Sequence, residues 1–98
     1  MADTIRAVAH IKAQADKVDE MREVLVGLLE PTRNEEGCIS YILTQNTADP
    51  TDFTFIEEWA SEEAMQAHLG SAHVAEALSR LPEVGAAEPD IRSYEVIG

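Results

Sequence analysis

Apolar and polar residues alternate from Thr4 to Ala13. Ile5, Ala7, Ala9, Ile11 and Ala13 share one face, and Arg6, Val8, His10 and Lys12 share the other. A period of two predicts a strand, with one face for a helical layer and a more polar second face. Gln14-Ala15-Asp16 reads as a turn in which Asp16 caps the next element. The period then lengthens. Val18, Met21, Leu25, Leu28 and Leu29 recur at helical spacing, which predicts a helix from Lys17 to about Glu36. Pro31 lacks an amide and its ring crowds the preceding turn, so a kink or restart is expected there. Gly37 ends the helix as a residue free to take positive φ.

Alternation returns from Cys38 to Asn46, with Ile39, Tyr41 and Leu43 on one face and Cys38, Ser40, Ile42 and Thr44 on the other. Asn46 to Asp52, NTADPTD, is turn chemistry and predicts an antiparallel hairpin. The next strand, Phe53 to Trp59, places Phe53, Phe55, Glu57 and Trp59 on one face. Ser61 comes next as an N-cap, with Glu62 and Glu63 where the helix dipole favours negative charge. Ala64, Met65, His68 and Leu69 then share a helical face. Gly70 stops that helix, and Ser71 caps another running through Val74, Leu78 and Leu81. Pro82 to Asp90 reads as a loop and Ile91 to Ile97 as the last strand.

The order β-α-β-β-α-β predicts an α+β, ferredoxin-like architecture, a four-stranded antiparallel sheet with its helices on one face. The other face would stay partly bare, which predicts a homodimer whose sheets face each other. At 98 residues the chain is expected to be a single domain, 1–98.

The net charge is -12, with 19 acidic against 7 basic residues. Such a field repels phosphate backbones and anionic bilayers, so neither nucleic acid nor membrane is an expected partner. Cys38 is the single cysteine and cannot form an internal disulfide. The start MADTIRAVAH has no basic-then-apolar leader pattern, so a cytoplasmic setting is expected. No Gly-rich phosphate loop, G-x-S-x-G or C-x-x-C occurs.

Three segments together carry a resemblance. Arg33-Asn34-Glu35-Glu36-Gly37-Cys38-Ile39-Ser40-Tyr41 resembles the R-x-E-x-G-C-x-x-Y junction of the antibiotic biosynthesis monooxygenase domain family. Glu57-Glu58-Trp59 resembles its E-x-W strand end, and His68-Leu69-Gly70-Ser71-Ala72-His73 its H-L-x-S-x-H helix pair. The resemblance implies a dimeric α+β barrel. It also implies a cofactor-independent monooxygenase acting with molecular oxygen on a quinol- or phenol-like aromatic. Haem-degrading and isomerising relatives share the fold, and a non-catalytic dimeric module that binds a small molecule is the rival reading. Polyketide-oxidising members use an Asn and a Tyr around a pocket Trp. Here Trp59 matches the Trp, and Phe55 and Met65 lie near the places of its partners. Haem-degrading members carry an Asn on the first strand, where this chain has Arg6, His10 and Lys12.

Among the residues themselves, His68 sits at the centre of an apolar stripe, where a neutral imidazole could accept a phenolic proton. A core histidine bonded to a carbonyl is the alternative. Trp59 is a candidate stacking wall or a core residue. Tyr41 and Arg92 are candidate orienting groups, and His10 a candidate second pocket residue. Glu57, if buried, needs a partner, for which Arg6 and Arg92 are candidates. His73 lies five residues after His68. On a continuous helix that points the rings about 140° apart. A break at Gly70 would change the angle, but three His and one Cys without clustered spacing predict no structural metal site. The absence of nucleotide and phosphate motifs predicts no cofactor.

Overall fold

The computed structural model describes residues 4–98. Its elements run β1 (Ile5–Lys12), α1 (Val18–Val26), α2 (Leu29–Arg33), β2 (Cys38–Gln45), β3 (Asp52–Trp59), α3 (Glu62–Leu69), α4 (Ala72–Val84) and β4 (Asp90–Glu95). The strands form one antiparallel sheet in the order β2-β3-β1-β4. This is the ferredoxin-like plan. Residues 1–3, which open the segment used for the leader reading, lie outside the described residues.

Helices cover one sheet face. Ala7, Ala9 and Ile11 of β1 and Phe53, Phe55 and Trp59 of β3 are buried beneath Met21, Leu25, Met65, Val74 and Leu81. Alanine at the centre of β1 lets the helices approach the sheet while the aromatics of β3 fill the remaining depth. Removing a ring such as Phe55 from this layer costs about 3–5 kcal/mol.

The other face is uncovered, and its residues fall into rows across the strands. The register sets Ile42 beside Ile56, Ile56 beside Val8, and Val8 beside Arg92. Flanking rows hold Ser40, Glu58, Arg6 and Tyr94 on one side and Thr44, Thr54, His10 and Asp90 on the other. An apolar stripe thus lies between two polar ones. Ile42, Ile56 and Tyr94 are each about half exposed.

Four local expectations are corrected. The long helix breaks at Gly27 and Leu28, not at Pro31; Leu28 N–H bonds Leu25 O at 3.1 Å as the turn tightens. Pro31 thereby falls in the first turn of α2, where an amide would have no helical partner. Asp16 is not the cap of α1; Lys17 occupies that position without a side-chain cap bond. In β2 a bulge between Cys38 and Ser40 turns Ile39 outward and puts Cys38 on the core face opposite Trp59. Finally, α4 continues through Pro82 to Val84, closed by Gly85 N–H on Leu81 O, and the carbonyl that Pro82 leaves free belongs to Leu78 at the exposed surface.

One predicted cap is present as read, and the other, Gly37, has the positive φ expected of it but sits in the turn before β2, three residues past Asn34, which ends α2. Ser61 Oγ accepts from Ala64 N–H at 3.1 Å. Gly37 has φ 86°, and a Cβ there would stand 2.5 Å from Ala64 Cβ. Gly37 is therefore required both by conformation and by the close approach of α3.

Candidate functional site

The three motif segments converge at the junction of α2, β3 and α3. Arg33 begins the arrangement. Its Nε and Nη2 both donate to Tyr41 O, at 3.1 and 2.9 Å, which ties the end of α2 to β2. Cys38 N–H bonds Glu35 O at 3.2 Å, and Ala60 N–H bonds Gly37 O at 2.8 Å. This short turn holds Glu35 over the strand end that carries Trp59.

Glu35 receives both histidines. His68 Nδ1 lies 2.6 Å from Glu35 Oε2, and His73 Nε2 lies 2.8 Å from the same oxygen. An ionised carboxylate only accepts, so each imidazole nitrogen donates its N–H. That places the second nitrogen of a neutral His68, Nε2, on the unprotonated side, free of any hydrogen bond among the described residues. The two rings therefore converge, against the expectation from a continuous helix. Gly70 ends α3, and Ser71 Oγ donates to His68 O at 2.6 Å, so α4 starts in a new direction with His73 in its first turn.

Aromatic contacts hold His68 in place. Its ring centroid lies 4.7 Å from that of Trp59, tilted 32°, and Tyr41 meets it edge-on at 5.4 Å. Tyr41 in turn stacks on Phe55 at 4.7 Å. Trp59 Nε1 donates to Glu57 Oε1 at 2.9 Å. Glu57 thus finds its partner two residues along its own strand and not in Arg6 or Arg92, which occupy the open face.

Burial beside two carboxylates sets the electrostatics. Burial first, and Glu35 after it, push the Glu57 carboxyl up, against the Trp59 hydrogen bond and His68. Burial, then Glu57, pushes the Tyr41 phenol well above its ordinary value. The Cys38 thiol is raised by burial, then by Glu35 and Glu57. The interior here opposes new negative charge unless a proton stays close by.

A cavity of about 50 Å³ adjoins His68. Tyr41, Phe55, Glu57 and His68 form its polar-edged end, and Leu25, Leu28, Val74 and Ala77 its apolar walls. Leu78, Leu81, Pro89 and Ile91 line it and also line a surface groove of about 590 Å³ between α4 and the segment leading to β4. These four side chains are therefore a common wall between the cavity and the groove.

Of the residues singled out from sequence, His68, Tyr41 and Phe55 meet at this cavity. Trp59 and Met65 are buried beside them but do not line it; Trp59 packs its face on His68. His10 and Arg92 stand on the opposite sheet face, where His10 Nδ1 pairs with Thr54 Oγ1 at 3.0 Å and Arg92 with Asp90 at 3.0 Å. Sequence reasoning passed over Glu35, although it stands at the acidic position of the R-x-E-x-G segment. Nothing in local periodicity ties it to a helix 33 residues away.

The profile of the antibiotic biosynthesis monooxygenase family matches residues 4–80. An uncharacterized Synechocystis protein, sll1783, is 29% identical over 94 residues, which are 96% of this chain and 64% of that protein. The chain thus spans less than two thirds of that relative's length. A Bacillus subtilis protein, YcnE, named provisionally as a monooxygenase, is 29% identical over 88 residues, 90% of this chain and 93% of that one. Among solved structures, a conserved protein from Methanosarcina mazei Go1 is 35% identical, covers 94% of this chain and 91% of its own, and superposes with a TM-score of 0.87.

Proposed function

This chain belongs to the antibiotic biosynthesis monooxygenase family, and from that premise we propose that it is a single-domain, cytoplasmic, homodimeric oxygenase of quinol- or phenol-like aromatics, using O₂ without flavin or haem. One observation carries the reading. A buried histidine, with one nitrogen held by a carboxylate and the other free, borders an apolar cavity walled by aromatic rings. That is the arrangement of a general base kept in one tautomer by an orienting acid.

The charges dictate the chemistry. A phenol brought to this end of the cavity meets the same environment as Tyr41, in which loss of its proton to bulk water is opposed. His68 Nε2 accepts that proton instead, and the imidazolium stays beside the phenolate, its Nδ1–H on Glu35. The electron-rich phenolate then passes an electron to O₂. The radical pair combines at a ring carbon that bears hydrogen, and the resulting peroxide anion takes the proton back from the His68 imidazolium. The O–O bond then breaks as the ring C–H proton leaves, giving a carbonyl and water, with His68 returned to its neutral form. Tyr41 and Phe55 offer ring faces to hold the substrate. Trp59 acts from behind, packing on His68 and holding Glu57.

The inner cavity, at about 50 Å³, is well below the roughly 150 Å³ that holds a benzene ring. It suits O₂, and a ring must enter from the groove by displacing Leu78, Pro89 or Ile91. All six residues of β4 are exposed, so that edge has little packing to lose. The open sheet face, with its stripe of Ile42, Ile56 and Val8, supports the dimer.

Small hydroquinones under air supply the test. Turnover with O₂ uptake supports the oxygenase. Saturable binding without turnover supports instead the non-catalytic binding module.

A further inference from the structure

The same three groups that hold His68 have a second capacity. The ligating atoms of Glu35, His68 and His73 all lie within 4.8 Å of one another. We propose that Glu35 Oε2, His68 Nδ1 and His73 Nε2 form a binding site for a divalent transition cation of the zinc class. Both imidazole nitrogens address one point, now filled by the Glu35 oxygen at 2.6 and 2.8 Å. Ligands about 2.0–2.2 Å from a tetrahedral ion sit about 3.4 Å from each other. Widening the two N···O distances from 2.6 and 2.8 Å to about that value, by movement of the Glu35 side chain, makes room for the ion between the three atoms. Glu35 is on the turn after α2 and partly exposed, so it has that freedom, whereas His68 is packed against Trp59.

The donor set selects the ion. Two imidazoles and one carboxylate suit zinc, iron, cobalt or nickel. Calcium and magnesium require six or more oxygen ligands or a retained water shell and gain little from imidazole. His73 is about a quarter exposed, which gives an ion a path and leaves a coordination position for water. The backbone is also arranged for convergence: the Gly70 break and the Ser71 bond to His68 O bring the two rings to 6.0 Å.

One consequence rests on the proposed oxygenase reading. A metal on Nδ1 replaces the Nδ1 proton, so the proton of a neutral His68 moves to Nε2, the atom that must accept from the phenol. The loaded form is then unable to act as base, and metal occupancy switches the site off.

The full chain, dialysed against chelator, is titrated with Zn²⁺ by calorimetry and with Co²⁺ by visible absorption. One ion per chain is expected, with a dissociation constant in the micromolar range or below, four- or five-coordinate cobalt bands, and no comparable response to Mg²⁺. His73→Ala and Glu35→Gln, checked for folding by circular dichroism, each weaken binding at least tenfold. Absence of saturable binding overturns the site, as does binding that His73→Ala and Glu35→Gln leave unchanged, which would place the ion on the acidic surface. Where a hydroquinone turns over, saturating Zn²⁺ is expected to suppress the rate and chelator to restore it. Turnover unchanged at full occupancy overturns the switch alone, while the site itself stands or falls on the titrations, which do not depend on the oxygenase reading.

Discussion

On β1, Ala7 and Ala9 face the helices and are almost fully buried, while Arg6 and His10, one residue away, face outward and contact Glu58 and Thr54. The contrast continues across the sheet. On the covered face the polar groups are few and interlocked: Glu57 takes Trp59, and Glu35 takes both His68 and His73. On the open face they pair singly at the surface, 3.5 Å for Arg6 with Glu58, around a stripe of Ile42, Ile56 and Val8. A surface ion pair of that kind is worth ~0–1 kcal/mol, whereas a buried carboxylate must keep its partners or be expelled. On the proposed reading, the difference gives chemistry to the covered face and assembly to the open one.

The largest disruption is expected at the hinge of the covered face. Gly37→Ala combines a left-handed backbone with a Cβ 2.5 Å from Ala64 Cβ. The strain and the overlap together should destabilise by about 2–4 kcal/mol in urea unfolding. Adding Ala64→Gly should recover part of this, and a double variant no better than the single would show that contact with Ala64 is not the cause.

On the open face, Ile56→Lys should leave the melting temperature of the folded chain within a few degrees but weaken self-association at least tenfold by sedimentation. A variant that stays dimeric at the same concentration would remove the sheet face from the interface.

The smallest effect concerns Glu57. Burial raises its carboxyl above the ordinary 4.5. The folded state then holds that proton more tightly than the unfolded state. The stability linked to it is complete below the ordinary value and is lost as pH rises through the raised one. Glu57→Gln keeps an oxygen for Trp59 Nε1–H and carries no charge. It should match the wild type in acid and become relatively more stable as pH climbs above 4.5. Thermal melts across that range check the sign, and a variant that loses ground as pH rises would contradict it.

Much of this division was legible in the residues. The alternation in β1 and β3 reads correctly because both strands run without a bulge, so a period of two survives from end to end. Ile39 was misplaced because the β2 bulge is set by pairing with β3, which no pattern within β2 reveals. Pro31 and Pro82 misled for one reason: a proline disturbs a helix only where its amide is needed, and that depends on where the helix begins and on what the freed carbonyl meets. His68 was legible as a candidate from its apolar stripe. Its dependence on Glu35 was not, since the contact spans a turn, a hairpin and a helix, and the Gly70 break that brings His73 to the same oxygen changes an angle that spacing alone cannot give.

The reactive histidine, on this reading, is the one held under the helices. Hydroquinone turnover per folded molecule in wild type, His68→Ala and His10→Ala, with the melt recorded on each, tests this most directly. His68→Ala is expected to lower kcat by ~10²-fold or more, the scale of general-base catalysis. His10→Ala is expected to stay within about twofold, because its ring stands on the opposite sheet face and takes no part in the proton transfer. A lowered melting temperature with undiminished turnover in His68→Ala would contradict the reading and return His68 to the role of a packed core residue.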